Sequence, residues 1–150
     1  MDSKKIFIKN FWLKNYKLKN VFFKDKDKKY IKSYLSRQNY IKYDLIKKNF
    51  LILYNKKYPL AYVLTNKGRA VGFLGTLFSK RLIKNKNYLF CNIHSWLVDS
   101  NHRVAAQLLF KKILDKCIIT VFTARPGLTK TFRKMGFKSL QMRYRIVFLI

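Results

Sequence analysis

The sequence predicts an α/β protein of the α+β type, in which a mixed, mainly antiparallel sheet is flanked by helices. Three segments that alternate between apolar and polar residues follow one another from residue 59, which is typical of antiparallel strands joined by short turns. Helical periodicity then appears twice, separated by an almost wholly apolar segment that predicts a buried strand. At 150 residues, the chain is long enough for one domain with its own core.

The strands predicted from the alternating pattern are 59–65, 69–81 and 88–98. The turn at 66–68 contains a glycine that can adopt a positive φ, and the turn at 83–87 is polar. The three strands therefore predict an antiparallel meander.

A helix is predicted after the third strand, because six apolar residues form one stripe at helical spacing. These residues are Ala105, Ala106, Leu109, Phe110, Ile113 and Leu114. The apolar segment 117–124 predicts a strand at the centre of the sheet. Pro126 suits the first turn of a second helix, Gly136 suits its C-terminal cap, and 142–150 predicts a closing strand.

Residues 1–57 are rich in lysine, and we interpret them as a helical segment. Tyr30, Ile31, Tyr34 and Leu35 lie on one helical face and predict a helix that begins near Asp27. Ile41 and Leu45 predict a second helix.

The chain is strongly basic: 34 Lys and Arg face six acidic residues, all aspartate, for a net charge of +28. Such a charge favours an anionic partner, such as nucleic acid. A genome rich in A and T would produce the same excess, since lysine, asparagine, isoleucine, tyrosine and phenylalanine are all abundant. We favour this second cause, because the excess is mostly lysine, and arginine, which binds phosphate better, occurs only eight times. The sequence also has no recognised nucleic-acid motif. The apolar fraction of 49% excludes a disordered chain.

The two cysteines, Cys91 and Cys117, have no metal-binding spacing with His94 or His102, so we predict no metal. We interpret both cysteines as free thiols in a reducing compartment, which indicates a cytoplasmic protein. The N-terminus lacks the apolar stretch of a secretory signal, and no run reaches the ~18 apolar residues of a membrane span.

The order of elements over residues 59–150 resembles the GNAT superfamily of acyl-CoA N-acyltransferases. The stretch WLV, 96–98, followed by Arg103, is similar to the strand that leads into the family's pyrophosphate loop. FRKMGF, 132–137, is similar to the end of its last helix. The resemblance implies one acyltransferase domain over 1–150, with residues 1–57 on the acceptor side and the sheet and CoA-binding core in 59–150.

The resemblance also implies the cofactor contacts. The backbone of the third strand would pair with the pantetheine arm, and the N-terminus of the next helix would bind the pyrophosphate, where free N–H groups and a partial positive charge favour an anion. The implied residues for acetyl-CoA or another acyl-CoA are Trp96, Leu97, Val98, Arg103, Val104, Ala105, Ala106, Gln107 and Arg125.

The candidate general base is His94, since the chain has no glutamate and imidazole titrates near pH ~6.5. Strand alternation predicts that His94, Trp96 and Val98 share one face of the sheet. A buried structural histidine is the alternative interpretation. Four positions depart from the family. Ala106 and Leu108 stand at the two small residues of the family loop, Phe132 at a tyrosine that protonates the leaving thiolate, and Arg125 at an asparagine that contacts CoA.

The resemblance implies transfer of an acyl group, most simply acetyl, from acyl-CoA to an amine. The aromatic and basic content of residues 1–57 favours a small-molecule acceptor that is anionic or sugar-like. Two alternatives stay open: a basic nucleic-acid-binding module, and a GNAT fold that has lost its activity.

Overall fold

The computed structural model describes residues 15–22, 28–38, 57–122, 124 and 126–139, with only the backbone for 28–30. These residues form one five-stranded sheet with helical segments on both of its faces.

The strands are arranged in the sheet in chain order. They are β1 (Tyr16–Val21), β2 (Ala61–Asn66), β3 (Arg69–Ile83), β4 (Lys86–Val98) and β5 (Ile118–Thr120). The first four are antiparallel to their neighbours, whereas β5 is parallel to β4. The predicted mixed, mainly antiparallel sheet and its meander are confirmed.

Strand β1 is an addition to the prediction, because it lies in the segment that we interpreted as helical. It pairs with β2 along its whole length, from Tyr16↔Asn66 to Val21↔Ala61. Its first four residues alternate between apolar residues and lysine, but the alternation breaks at Asn20, so the pattern is too short to predict a strand. The pairing with β2, rather than local propensity, therefore determines this strand.

Three helical segments accompany the sheet. They are α1 (Lys28–Ser36), a 3-10 helix (Ser100–Phe110) and α2 (Pro126–Lys134). The helix predicted near Asp27 is confirmed. The helix predicted from Ile41 and Leu45 and the strand predicted at 142–150 lie outside the described residues. No helix in the described ranges is both long and apolar enough to cross a membrane.

The predicted helix after β4 is present, but its apolar stripe ends earlier than expected. Ala105, Leu109, Phe110 and Ile113 are buried, as predicted, whereas Leu114 is 37% exposed. The regular helix ends at Phe110, so helical spacing no longer fixes the orientation of Leu114.

The buried strand predicted at 117–124 is shorter and less buried than its sequence indicates. Regular β5 structure covers only Ile118–Thr120. Ile118 is 44% exposed and Phe122 is 55% exposed. Apolar character alone therefore overestimated both the length and the burial of this strand.

The core consists of two clusters, one on each face of the sheet. The cluster on the α1 face contains Val21, Ile31, Tyr34, Leu35, Ala61, Val63, Ala70 and Phe73. The cluster on the opposite face, called the α2 face, contains Tyr62, Leu64, Val71, Leu74, Cys91, Ile93, Ala105, Leu109, Phe110, Ile113 and Phe132. Because apolar side chains are buried on both faces of the sheet, β4 lies between the two core clusters. Its C-terminal end, Val98, is followed closely by the 3-10 helix, which begins at Ser100.

Candidate functional site

The two parallel strands β4 and β5 diverge. Their pairing covers three residue pairs, from Phe90↔Ile118 to Asn92↔Thr120. Beyond Asn92, β4 continues to Val98 and stays paired with β3 on its other side. Among the described strands, none pairs with this second edge of β4 after Asn92. Unpaired backbone N–H and C=O groups along such an edge can bind an extended ligand as an added strand.

The hydrogen-bond ladder determines which residues of β4 direct their backbone toward the open edge. The N–H of Asp99 donates to the carbonyl of Val71 on β3 at 2.9 Å. In an antiparallel ladder, consecutive residues direct these groups alternately to the two sides. The backbone N–H and C=O groups of Leu97 are therefore directed to β3, and those of Trp96 and Val98 are directed to the open edge. Leu97 and Val98 thus differ: the N–H of Val98 is directed to the open edge, whereas that of Leu97 is directed to β3.

A β-bulge lies in β4 next to the open edge. Gly75 pairs with Ser95 and Thr76 pairs with Ile93, so His94 is the extra residue. A bulge changes the alternation of side chains along a strand.

The bulge places His94 and Trp96 on opposite faces. The His94 ring occupies the space beside Gly75, which shares the α1 face with Phe73. Trp96 and Val98 pack on the α2 face. Our prediction of one shared face was wrong, because the extra residue shifts the alternation between His94 and Trp96.

Burial lowers the pKa of His94 from its ordinary value of 6.5 to about 4, because desolvation disfavours the imidazolium form. Its Nδ1 lies 3.0 Å from the hydroxyl oxygen of Ser95. At neutral pH, His94 is therefore a neutral imidazole held by a neighbouring hydroxyl group. It can accept a proton, although its basicity is well below that of a free imidazole.

Trp96 forms an aromatic cluster at the end of the open edge. Its ring lies 5.0 Å from that of Phe110 in an edge-on arrangement and 5.4 Å from that of Phe132. The indole Nε1 is buried, and none of the described residues is its hydrogen-bond partner. A buried donor of this kind is costly unless a ligand accepts its hydrogen bond. Phe132 is 6% exposed and has no hydroxyl group to donate a proton.

The helix after β4 begins earlier than the resemblance implies. The N–H of His102 donates to the carbonyl of Asp99 at 2.9 Å, which is the first bond of the helix. The N–H groups of Ser100 and Asn101 precede that bond and have no partner within the helix. The free donors that suit an anion therefore lie just upstream of Arg103.

The residues that we predicted to bind the pyrophosphate lie on three sides of the 3-10 helix, and their exposure differs. Arg103 and Gln107 are exposed, and Val104 is 75% exposed. Ala106 is half-buried, and Ala105 is fully buried in the α2-face cluster. The side chain of Ala105 is therefore unavailable to a ligand. Arg125, the remaining predicted contact, lies outside the described residues.

A polar cavity of about 540 Å³ lies between the β2–β3 turn and the start of the 3-10 helix. It is lined by Asn66, Lys67, Arg69, Val71, Asp99, Ser100, Asn101 and His102. Lys67 and Arg69 contribute positive charge, and Asp99 contributes a carboxylate. The Oδ1 of Asn66 is buried, and within the described ranges it has no hydrogen-bond partner. The sequence analysis missed this cavity, because its two walls are about thirty residues apart in the chain and no local pattern connects them.

His102 connects the start of the 3-10 helix to β1. The hydroxyl group of Tyr16 lies 2.8 Å from Nδ1 of His102, and the two rings meet edge-on at 5.7 Å. This contact supports a structural role for His102 beside the turn.

The two cysteines, distant in sequence, are brought together where β4 meets β5. Cys91 is fully buried, and Cys117 precedes β5. The thiol of Cys117 donates a hydrogen bond to the carbonyl oxygen of Ile113 at 3.4 Å. The interaction between the two neighbouring thiols raises the pKa of Cys91 and lowers that of Cys117. Within the described ranges, no three His, Cys, Asp or Glu side chains are grouped so that they could bind a metal ion.

Comparison with solved structures places this geometry in a known fold. Naa50 from Arabidopsis thaliana, solved with the bisubstrate analogue CoA-Ac-MVNAL, has a TM-score of 0.63 at 15% identity, with 85% of each chain covered. Ribosomal-protein-alanine N-acetyltransferase from Brucella melitensis biovar Abortus 2308 has a TM-score of 0.62 at 14% identity, covering 89% of this chain and 99% of that chain.

A third structure, described as a possible acetyltransferase from Clostridium difficile 630, has a TM-score of 0.58 at 16% identity, covering 90% of this chain and 98% of that chain. No protein-family model matches the sequence, and no curated protein is significantly similar to it.

The similarity to the three solved structures shows that the protein has an acetyltransferase-type fold of mixed sheet and helices. That fold is the GNAT fold, as the order of elements in the sequence predicted.

Proposed function

We propose that this protein is an N-acyltransferase that moves an acyl group, most simply acetyl, from acyl-CoA to an amine. The observation that carries the proposal is the divergence of β4 from β5 after Asn92. It leaves the backbone of Trp96 and Val98 directed toward an open edge, which a chain containing amide groups, such as pantetheine, can pair with.

Three further observations support binding of acyl-CoA at this edge. The indole N–H of Trp96 is a buried donor that has no partner in the described part of the chain. The free N–H groups of Ser100 and Asn101 lie at the end of the same strand and suit a pyrophosphate. Leu108, which stands at a glycine position of the family loop, packs against the α2-face cluster and so is turned toward the core.

The proposed assignment of Arg103 follows from its exposure and its position. Arg103 is exposed and follows Ser100 and Asn101 in the first turns of the helix. A guanidinium group there can form charge-assisted hydrogen bonds with phosphate oxygens. Val104, Ala106 and Gln107 follow on the same helix and complete the proposed contact, together with Arg125.

We propose His94 as the proton acceptor for the incoming amine. Its imidazole is neutral at neutral pH, since burial lowers its pKa to about 4. Desolvation also weakens it as a base, so activity should rise with pH as the acceptor amine loses its own proton. The absence of a hydroxyl group at Phe132 implies that the leaving thiolate receives its proton from elsewhere, such as the acceptor or water.

We propose a small-molecule amine as the acceptor, with anionic or sugar-like character. The support is the basic and aromatic content of residues 1–57. A net charge of +28 attracts anionic molecules over long distances. The same charge supports nucleic-acid binding as the second candidate function.

The test targets the open edge directly. Val98→Pro removes one of the two N–H groups proposed to face pantetheine, those of Trp96 and Val98, and proline is tolerated where a strand N–H is not part of the ladder. Val98→Ala retains the N–H and is the matched control. Calorimetric titration with acetyl-CoA and with CoA should give micromolar binding for the wild type and for Val98→Ala, and a loss of at least tenfold for Val98→Pro.

Arg103→Ala should weaken the binding of CoA but not the binding of pantetheine, which lacks the phosphates to which the guanidinium group is assigned. Binding without turnover over a panel of amines would assign the protein to the inactive alternative. No binding of either ligand by the wild type would exclude the acyl-CoA site.

A further inference from the structure

Strands β3 and β4 extend beyond the rest of the described sheet as a two-stranded ribbon. The pairing of β2 with β3 ends at Ala61↔Gly75, and the pairing of β5 with β4 begins at Phe90↔Ile118. Residues 80–89, called the basic arm, pair only with each other among the described strands. The arm extends roughly 14 Å, at ~3.4 Å per residue over four paired positions.

The arm carries four cations and no acidic residue: Lys80, Arg81, Lys84 and Lys86. All four are exposed. The sequence from Gly75 to Val98 contains no aspartate or glutamate, so no neighbour along either strand neutralises this charge.

The cations are presented on both faces and at the tip of the arm. Arg81 and Lys86 share one face, since Arg81 pairs with Tyr88 and Ile83 pairs with Lys86. Lys80 lies on the other face, because successive residues of a strand alternate. Lys84 is in the two-residue turn, where its φ is 48°.

Apolar and aromatic groups are interleaved with these charges. Leu82 is 66% exposed, Ile83 is 43% exposed and Tyr88 is 38% exposed. The guanidinium group of Arg81 lies 5.3 Å from the centre of the Phe90 ring, which restricts its motion. The arm is thus a narrow, cationic projection with some apolar surface.

We propose that the basic arm binds duplex DNA by inserting into the major groove, with its cations on the phosphates of both strands. A groove ≈12 Å wide admits a two-stranded β-ribbon. Phosphates line both walls of a groove, which fits cations on both faces of the arm. An acidic protein surface would meet only one face. The arm lies at the start of β4, far from the proposed acyl-CoA contacts at its end, and does not depend on them.

The test compares two variants with equal charge. The arm variant carries Lys80→Gln, Arg81→Gln, Lys84→Gln and Lys86→Gln. The control carries Lys111→Gln, Lys112→Gln, Lys116→Gln and Arg133→Gln, all at exposed positions. Both reduce the net charge from +28 by four, to +24. Binding to a fluorescent 20-base-pair DNA duplex is measured by anisotropy between 50 and 200 mM salt, on untagged protein.

The slope of log K against log salt should lose about three to four units in the arm variant, at ~0.9 per phosphate contact, and less than one in the control. A tip variant with only Lys84→Gln and Lys86→Gln should lose about half as much, and its melting temperature checks that the fold is retained. Equal losses in arm and control variants, or no DNA binding by the wild type, would overturn the proposal. So would equally tight binding of polyglutamate, which would assign the arm to acidic proteins.

Discussion

The imidazole ring of His94 occupies the space that a side chain at Gly75 would need. A Cβ placed at Gly75 would overlap the ring. The two residues lie at the bulge that separates the pairs Gly75↔Ser95 and Thr76↔Ile93. Glycine at this position therefore determines where the candidate base can sit.

Gly75→Ala should destabilise the protein by roughly 1–3 kcal/mol, because the added methyl group overpacks a buried site. The same substitution in a His94→Ala background should cost much less, since the ring is then absent. Urea denaturation of the four proteins in this cycle measures the coupling. Additive effects of the two substitutions would show that the ring and Gly75 are independent.

Stability should depend on pH through His94. The unfolded chain binds a proton at His94 below about pH 6.5, and the folded protein only below about pH 4. Between these values the unfolded state binds more protons, so the free energy of unfolding falls as the pH is lowered. The resulting loss in the free energy of unfolding that is due to His94 reaches about 3 kcal/mol at pH 4 and changes little at lower pH.

Aspartates titrate near the same range, so the measurement is the difference between wild type and His94→Gln in chemical denaturation from pH 4 to 7. The variant should lack the His94 contribution. Parallel pH profiles for the two proteins would contradict the lowered pKa.

Gly136 should be required as the cap of α2. Its φ is 90°, and the N–H groups of Gly136 and Phe137 donate to the carbonyls of Arg133 and Phe132, both at 3.0 Å. This is the Schellman arrangement, in which a left-handed residue ends a helix. Gly136→Ala should cost about 1 kcal/mol, since alanine disfavours positive φ.

Gly127→Ala is the matched control for Gly136→Ala. Gly127 lies in the first turn of the same helix, where an added Cβ would meet no atom within 4 Å. This substitution should be neutral or stabilising by up to ~1 kcal/mol. Thermal denaturation of both variants tests the contrast, and equal effects would mean that the backbone conformation of Gly136 is not what matters.

Cys117 should react with thiol reagents before Cys91. Cys91 is fully buried, and its interaction with the neighbouring thiol lowers the pKa of Cys117. Cys91→Ala should therefore raise the pKa of Cys117 and slow its labelling at pH 7, because the thiolate is the reactive form. Labelling rates followed by mass spectrometry over pH 6–9 measure the shift; an unchanged rate in the variant would exclude this interaction between the two thiols.

Trp96 should report on the proposed acyl-CoA site. Its unpartnered Nε1 and its position at the open edge of β4 imply that a bound ligand changes the surroundings of the indole. Intrinsic fluorescence should change on addition of CoA in the wild type and in Trp12→Phe, and not in Trp96→Phe. A change that persists in Trp96→Phe would place the ligand elsewhere.

The sequence alone predicted the meander, the helix near Asp27, the two helices after β4, and the Gly136 cap. These elements depend on local patterns: alternation, helical spacing and the special backbone of glycine. The order of the elements was also sufficient to indicate the GNAT fold, without the usual loop glycines.

Only the tertiary structure determined the geometry of the site. The bulge at His94 places the candidate base and Trp96 on opposite faces, and a bulge is set by cross-strand pairing rather than by the strand's own pattern. The divergence of β4 from β5 and the cavity between residues 66–71 and 99–102 likewise depend on segments distant in the chain. Local sequence determines which elements form, whereas contacts between distant elements determine which backbone and side-chain groups stay open to a ligand.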